Sequence, residues 1–228
     1  MARVNTTKHE IIQTASRLFL ENGYSATSPK TICDELGIST GNLTYYFPTK
    51  EHLLAELVKM LCSFQYEVMV KEADDGISEV LAVCLELATM VAASESDPVI
   101  KDFFISCYSN PLCLNIIRKN DTERAKKVFA EYRPDWSHEQ FAEAEILVSG
   151  IEFATFMTTD NIVDVETRVT GALDNILGIY GVPPEVRDIK IKKVFSTNYT
   201  ELGKKVLAGF KEFVNKTNEQ IFIDMLKR

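Results

Sequence analysis

The stretch that decides the fold runs from Leu36 to Leu53 and reads LGISTGNLTYYFPTKEHL. No charged residue occurs from Ser39 to Phe47, a glycine turn precedes that run, and Pro48-Thr49 closes it ahead of Lys50 and Glu51. Gly37 suits a helix end, Ser39 or Thr40 suits the cap of the next helix, and Pro48 obstructs its continuation. The pattern therefore predicts a short third helix whose apolar points, Leu43 and Phe47, fall at i and i+4 on one face. Two physical readings compete for it: a recognition helix built to enter a DNA groove, or an uncharged core segment between two turns.

The residues upstream favour the first. Ile11, Ile12, Ala15, Leu18, Phe19 and Leu20 recur at helical spacing over about residues 6–21, and Asn22-Gly23 stops that helix. Thr27 or Ser28 can cap a second helix with Pro29 in its first turn, and Ile32, Cys33 and Leu36 form its inner face up to Gly37. A supporting helix followed by two short ones around a glycine turn is a helix-turn-helix pattern of about 45 residues. Thr49 then starts a long fourth helix, with Leu53, Leu54, Leu57, Val58, Leu61, Phe64 and Val68 beneath it, reaching about residue 72.

The rest of the chain also reads as helices. Turn signals near Asp74-Asp75-Gly76, Ser96-Asp97-Pro98, Asn110-Pro111, Arg133-Pro134, Thr158-Thr159-Asp160, Gly181 to Pro184 and about Asn198 to Glu201 separate the segments. These segments are 77–93, 98–108, 112–131, 137–157, 163–179, 184–197 and 201–226. No run alternates as a strand would, so the expectation is an all-α protein: a helix-turn-helix domain over residues 1–48 and a larger helical domain over 49–228.

Composition narrows the function. With 46% hydrophobic residues in 228, a sizeable core is available. The net charge of -8 repels a phosphate polymer on the whole, and residues 1–56 hold five Lys or Arg against six Asp or Glu. Any nucleic-acid contact must be local, through a few placed cations and helix N-termini. No signal pattern or spanning apolar run is present, so a cytoplasmic protein with no membrane partner is expected. The cysteines Cys33, Cys62, Cys84, Cys107 and Cys113 form no CxxC pair, and His9, His52 and His138 lie far from them, so neither metal nor cofactor is expected. Phosphate loops, HExxH and GxSxG motifs are also missing, which argues against an enzyme.

Gly23-Tyr24, Thr27-Ser28, Ile32, Leu36-Gly37-Ile38-Ser39, Gly41-Asn42-Leu43, Tyr45-Tyr46-Phe47 and Lys50-Glu51-His52-Leu53-Leu54 together resemble the N-terminal domain of the TetR family of transcriptional regulators over about residues 8–55. The resemblance implies a homodimer that binds a palindromic double-stranded DNA operator, usually as a repressor, and is released when a small-molecule effector enters the helical C-terminal domain. The chain departs from the family at two positions, with Thr44 where a tyrosine is common and Tyr46 where a histidine is usual.

On this reading Ser39, Thr40 and Asn42 are short donors and acceptors suited to phosphates or base edges, although Ser39 can equally be a cap. Thr44, Tyr45 and Tyr46 share the third helix, and at least one of the two tyrosines must face outward. Thr27, Lys30 and Lys50 complete the candidate DNA contacts, Lys50 by likeness to the family's phosphate-contacting position. Arg3 and Lys8 are flexible additions.

For an effector, the approach to Asn110-Pro111 gathers Phe103, Phe104, Cys107, Tyr108 and Cys113 at a helical break, with Phe64, Met90 and Phe156 as further candidate lining residues. A packed core is the plainer explanation of the same residues. The late segments 137–157 and 163–179 carry apolar stripes (Phe141, Ile146, Ile151 and Phe153; Val165, Val169, Leu173 and Ile176) suited to a subunit interface. The last helix is expected to cover the core through Leu202, Val206, Phe210, Phe213 and Phe222. Three other readings stay open: a redox regulator using Cys107 and Cys113, a small-molecule enzyme, and a helical adaptor without DNA binding.

Overall fold

Residues 2–74, 77–157 and 162–217 are described by a computed structural model, and they form eleven α-helices. Phe222 and the last residues expected in the final helix lie outside the described residues, as does the side chain of Arg3.

The first helix, α1 (Ala2–Asn22), begins earlier than its apolar stripe suggested and ends at Gly23, whose φ of 93° is the left-handed conformation that lets the chain turn. Ser28 caps α2 (Pro29–Leu36) by accepting a hydrogen bond from Thr31 N at 3.1 Å. Gly37, with φ 64°, closes α2, and Ile38 N returns to the Cys33 carbonyl at 3.1 Å. Ser39 in turn caps α3 (Thr40–Tyr46) through Asn42 N at 3.1 Å. Seven residues are too few for a stable isolated helix. What holds α3 is the burial of Leu43 and of Phe47 just past its end, each contributing about 1.5–3 kcal/mol.

The fourth helix, α4 (Lys50–Asp74), connects this unit to the rest. The remaining helices are α5 (Glu79–Ser96), α6 (Pro98–Ser109), α7 (Pro111–Val128), α8 (His138–Met157), α9 (Val165–Ile179), α10 (Pro184–Ser196) and α11 (Tyr199–Lys216). The breaks have local causes. Asp97 and Asn110 each precede a proline that starts the next helix, and their carboxylate and amide oxygens accept from Val99 N and from Leu112 N and Cys113 N. Asp164 caps α9 through Thr167 N at 2.8 Å.

Helix α5 runs through the middle of the larger body, burying Val80, Cys84, Leu85, Leu87, Ala88 and Val91 against α4, α6, α8, α9, α10 and α11. Its approach to α11 is close because Gly203 has no side chain; a Cβ there would stand 2.9 Å from the Thr89 carbonyl oxygen. The N-terminal unit is also tied down away from α4. Helix α1 packs on α6 and α11, Gln13 donates to the Asn215 carbonyl at 2.9 Å, and Asp102 of α6 accepts from both Ser25 N (2.8 Å) and the Ser25 hydroxyl.

Candidate nucleic-acid interface and helical cavities

On α3 the two apolar points face inward and the polar residues face out. Leu43 is 2% exposed, whereas Thr40, Gly41, Asn42 and Thr44 are exposed and the Tyr45 ring is 79% exposed. Tyr46 is half-buried, its ring edge-on to Tyr45 with centroids 5.0 Å apart. Ser39 is exposed but its hydroxyl oxygen is used by the cap, and the Thr44 hydroxyl donates back to the Thr40 carbonyl at 3.0 Å. The outward face therefore consists of the Asn42 amide, the Thr40 hydroxyl, the lone pairs of Ser39 and Thr44, and one large amphipathic ring. Such a face can meet phosphates, sugars and base edges without carrying charge. Lys8 lies 5.7 Å from the Phe47 ring centroid, at the base of the same helix.

The other three candidates differ from what their sequence positions suggested. Thr27 is 1% exposed and its hydroxyl donates to the Gly23 carbonyl at 2.7 Å, so its side chain is a turn lock and not part of the outer face. The Lys30 side chain is 77% exposed, but it is paired with Asp34 one turn on, 2.5 Å away. Lys50 is half-buried. Its ammonium donates to the carbonyls of Tyr24 (2.8 Å) and Thr27 (3.1 Å) and sits 4.0 Å from the centroid of the Tyr24 ring. The Tyr24 hydroxyl in turn donates to Glu51 at 3.2 Å. The first turn of α4 thus clamps the turn between α1 and α2, and the sequence carries no signal for this because the partners are backbone atoms more than twenty residues away.

Among the described residues the larger body has two adjoining cavities, besides an open groove between α9 and α10. The first lies between α4, α5, α6 and α11 and comprises about 720 Å³ of empty space, its open mouth included. Phe64, Met90 and Phe104 line it as expected, but Phe103, Cys107, Tyr108, Cys113 and Phe156 do not. Phe103, Cys107 and Cys113 are core residues at 0–1% exposure, and the Phe156 ring stacks on Phe104 with centroids 5.3 Å apart. The break at Asn110-Pro111 is a capped helix start, and neither residue lines either cavity. The sequence reading missed Gln65 and Glu86 at this wall, and it took Leu202, Val206 and Phe210 of α11 for a cover over the core when they form a side of the cavity. Their common signal was small: Gly203 and Gly209 on an otherwise apolar face let α11 come close.

The second cavity, about 520 Å³ of empty space, is lined by Glu86, Asp121, Arg124, Glu145, Glu152 and Tyr180 among apolar neighbours. Arg124 bridges Glu86 (2.5 Å) and Asp121 (3.0 Å). Tyr108 donates to Glu152 at 2.9 Å, and Tyr180 donates to Glu145. Burial raises the carboxyl groups of Glu86, Glu145 and Glu152, with the Asp121 charge adding to each; Glu145 is pushed up to about 8. Burial also raises the Cys107 thiol well above its usual range and pushes that of Cys113 up to about 12. Among the described residues, no group of three or more His, Cys, Asp or Glu is placed to hold a metal ion, and no helix is long and apolar enough to cross a membrane.

Residues 11–57 match the family profile described as "Bacterial regulatory proteins, tetR family". Over 57 residues the chain is 35% identical to the HTH-type transcriptional repressor KstR2 of Mycobacterium tuberculosis (strain CDC 1551 / Oshkosh), covering 25% of this chain and 28% of that one. Over 65 residues it is 40% identical to the HTH-type transcriptional regulator QacR of Staphylococcus aureus (strain Mu50 / ATCC 700699), covering 28% and 35% respectively. The likeness thus spans about a third or less of these curated relatives. A solved gamma-butyrolactone receptor (ArpA like protein) aligns over 92% of this chain and 98% of that one at 16% identity and a TM-score of 0.43, too distant to inform the C-terminal helices.

Proposed function

Because the chain carries the N-terminal helix-turn-helix domain of the TetR family of bacterial regulators, we propose that it is a dimeric, effector-responsive DNA-binding transcriptional regulator, with repression as its default action. Residues 1–48 are the DNA-binding unit and residues 49–228 the effector-binding and dimerisation unit. The observation that carries this reading is α3 itself. A seven-residue helix is seated by Leu43 and Phe47 so that Asn42 and a 79%-exposed Tyr45 stand outward without a charge beside them. A core segment would bury that ring; a groove-reading helix uses it.

The partner surface assigned to a second copy lies on α8, where Ile146 and Leu147 are 54% and 58% exposed and Gly150 leaves open space beside them. Of the late apolar stripes expected to meet a partner, Phe141, Val169, Leu173 and Ile176 are buried within the chain. Effector action follows from the contacts around the first cavity. Helix α4 lines it and also clamps the α1–α2 turn through Lys50, while α6 lines it through Phe104 and holds Ser25 through Asp102. A ligand preferring one placement of α4 and α6 shifts the spacing of the two DNA-binding units, and by linkage DNA weakens that ligand.

The thiol alternative is not favoured, because Cys107 and Cys113 are fully buried with raised thiols and so lack the thiolate that oxidation needs. The test is selection from random double-stranded DNA by the purified protein, with stoichiometry read on the winner. Enrichment of a palindrome bound by two subunits is the expected result. A strictly monomeric complex on a single half-site, or no enrichment at any salt concentration, would overturn the proposal.

A further inference from the structure

The chemistry of the effector can be read from the charges behind the apolar cavity, on the premise of the effector reading above. We propose that the cavity takes an amphipathic organic cation, its apolar body against Leu61, Phe64, Val206 and Phe210 and its cationic head at Glu86.

The walls of the first cavity are apolar except at Gln65, Glu86 and Thr89, and Glu86 also lines the second cavity. Behind it stand Asp121, Glu145 and Glu152, so four carboxyl groups share one guanidinium, that of Arg124. Fully ionised, the cluster would hold one positive and four negative charges, a net of -3. Tyr108, Tyr180 and Gln65 donate hydrogen bonds to it but supply no charge. Uncompensated charges in a low-dielectric interior are costly, and a protein relieves them by retaining protons or by admitting a counter-charge. The raised carboxyl groups of Glu145 and Glu152 are the first kind of relief.

A cationic guest at Glu86 supplies the second. Both Glu86 oxygens are already engaged, one by Gln65 at 2.6 Å and the other by Arg124, but a carboxylate has about four lone-pair positions and can accept again. Phe64, Phe104 and Phe210 line the same cavity, and an aromatic wall suits a weakly hydrated ammonium. An anionic guest would add to the excess, and a neutral one would gain only apolar contact. With no metal-binding group among the described residues and a mainly apolar wall, the matching guest is an organic cation and not a bare ion.

Calorimetric titration of the full-length protein with three probes of equal chain length, each below its micellar concentration, separates these cases: octyltrimethylammonium, 1-octanol and octyl sulfate. The ammonium is expected to bind saturably at one site per chain, at least about tenfold more tightly than octanol, with no saturable binding of the sulfate. Glu86→Gln should weaken the ammonium by at least about tenfold and leave octanol unchanged. Asp121→Asn, which removes the carboxylate that competes with Glu86 for Arg124 and so leaves Glu86 better neutralised, should act in the same direction, so the inference does not depend on one variant folding. Equal affinity for ammonium and octanol in the unaltered protein, binding of none of the three, or an ammonium affinity indifferent to Glu86→Gln would overturn it.

The effector reading fails separately, on selected operator DNA. If the ammonium binds in a Glu86-dependent way yet leaves DNA bound, the cation site stands and its regulatory role falls. If octanol or octyl sulfate releases DNA and the ammonium does not bind, the regulatory role stands and the cation falls.

Discussion

Lys50→Ala separates two roles that one lysine can play at a DNA interface. Its ammonium makes two charge-assisted hydrogen bonds, to the carbonyls of Tyr24 and Thr27, and lies against the Tyr24 ring. Hydrogen bonds to a charged group contribute about 1.5–3 kcal/mol each when shielded. A half-buried ammonium is partly screened, which brings each bond down to about 1 kcal/mol, and with about 0.5–1 kcal/mol from the ring contact the total is about 2.5–3 kcal/mol. In a chain of this size that lowers Tm by about 5–10 °C, at about 2–4 °C per kcal/mol. Calorimetry gives the melting shift, and hydrogen exchange should show weaker protection at Thr27, whose amide is bonded within the clamped turn.

DNA affinity should fall through the loosened turn while the dependence of log K on log salt keeps its slope, because the amine is already occupied by carbonyls. Lys30→Ala, at an exposed cation, should instead reduce the slope by about 0.9 for each phosphate that the lysine neutralises. A Lys50→Ala protein that melts within about 2 °C of the parent, or whose salt slope falls by about 0.9 per subunit, would refute the clamp and restore a direct phosphate contact.

Tyr45→Ala should cost specific DNA affinity at least about tenfold in fluorescence anisotropy while changing stability by under about 0.5 kcal/mol, since the ring is exposed in the free protein. Asn42→Ala should also alter preference among operator variants, read by competition, because its amide can address base edges. Leu147→Glu should shift sedimentation toward the monomer and abolish cooperative operator binding if the α8 face is the subunit interface. For pH, burial raises Glu145 from its ordinary 4.5 to about 8, so the folded chain holds a proton there that the unfolded chain has released. Stability from this group is therefore full below about 4.5 and declines as pH rises toward about 8. Glu145→Gln should flatten that decline in denaturant midpoints, and an unchanged slope would remove Glu145 as its source.

Helix periodicity, caps and breakers in the sequence were enough to locate the all-helical architecture and the helix-turn-helix. Ser28, Gly37, Ser39 and the two residues before Pro98 and Pro111 act locally, and local hydrogen bonding decides where a helix starts and stops. The outward face of α3 was legible for the same reason, since Leu43 and Phe47 commit one side of a short helix and leave the other. Three things were settled only by tertiary packing. Lys50 turned inward because its partners are carbonyls of the α1–α2 turn, which only the docked α4 brings within reach, and Thr27 because that turn places its hydroxyl on the Gly23 carbonyl and buries it. The cavity wall passed from the aromatic stretch before Asn110 to α4, α5 and α11, since aromatic side chains in a helical stripe line a void only if the opposite helix stands off. Finally, Glu86, Asp121, Arg124, Glu145 and Glu152, spread over three helices and ordinary surface-like charges in the sequence, become one largely shielded network when α5, α7 and α8 pack together, with Glu145 buried and the others half-buried. Sequence spacing orders side chains on a single helix; only the arrangement of helices determines which charges are removed from water together.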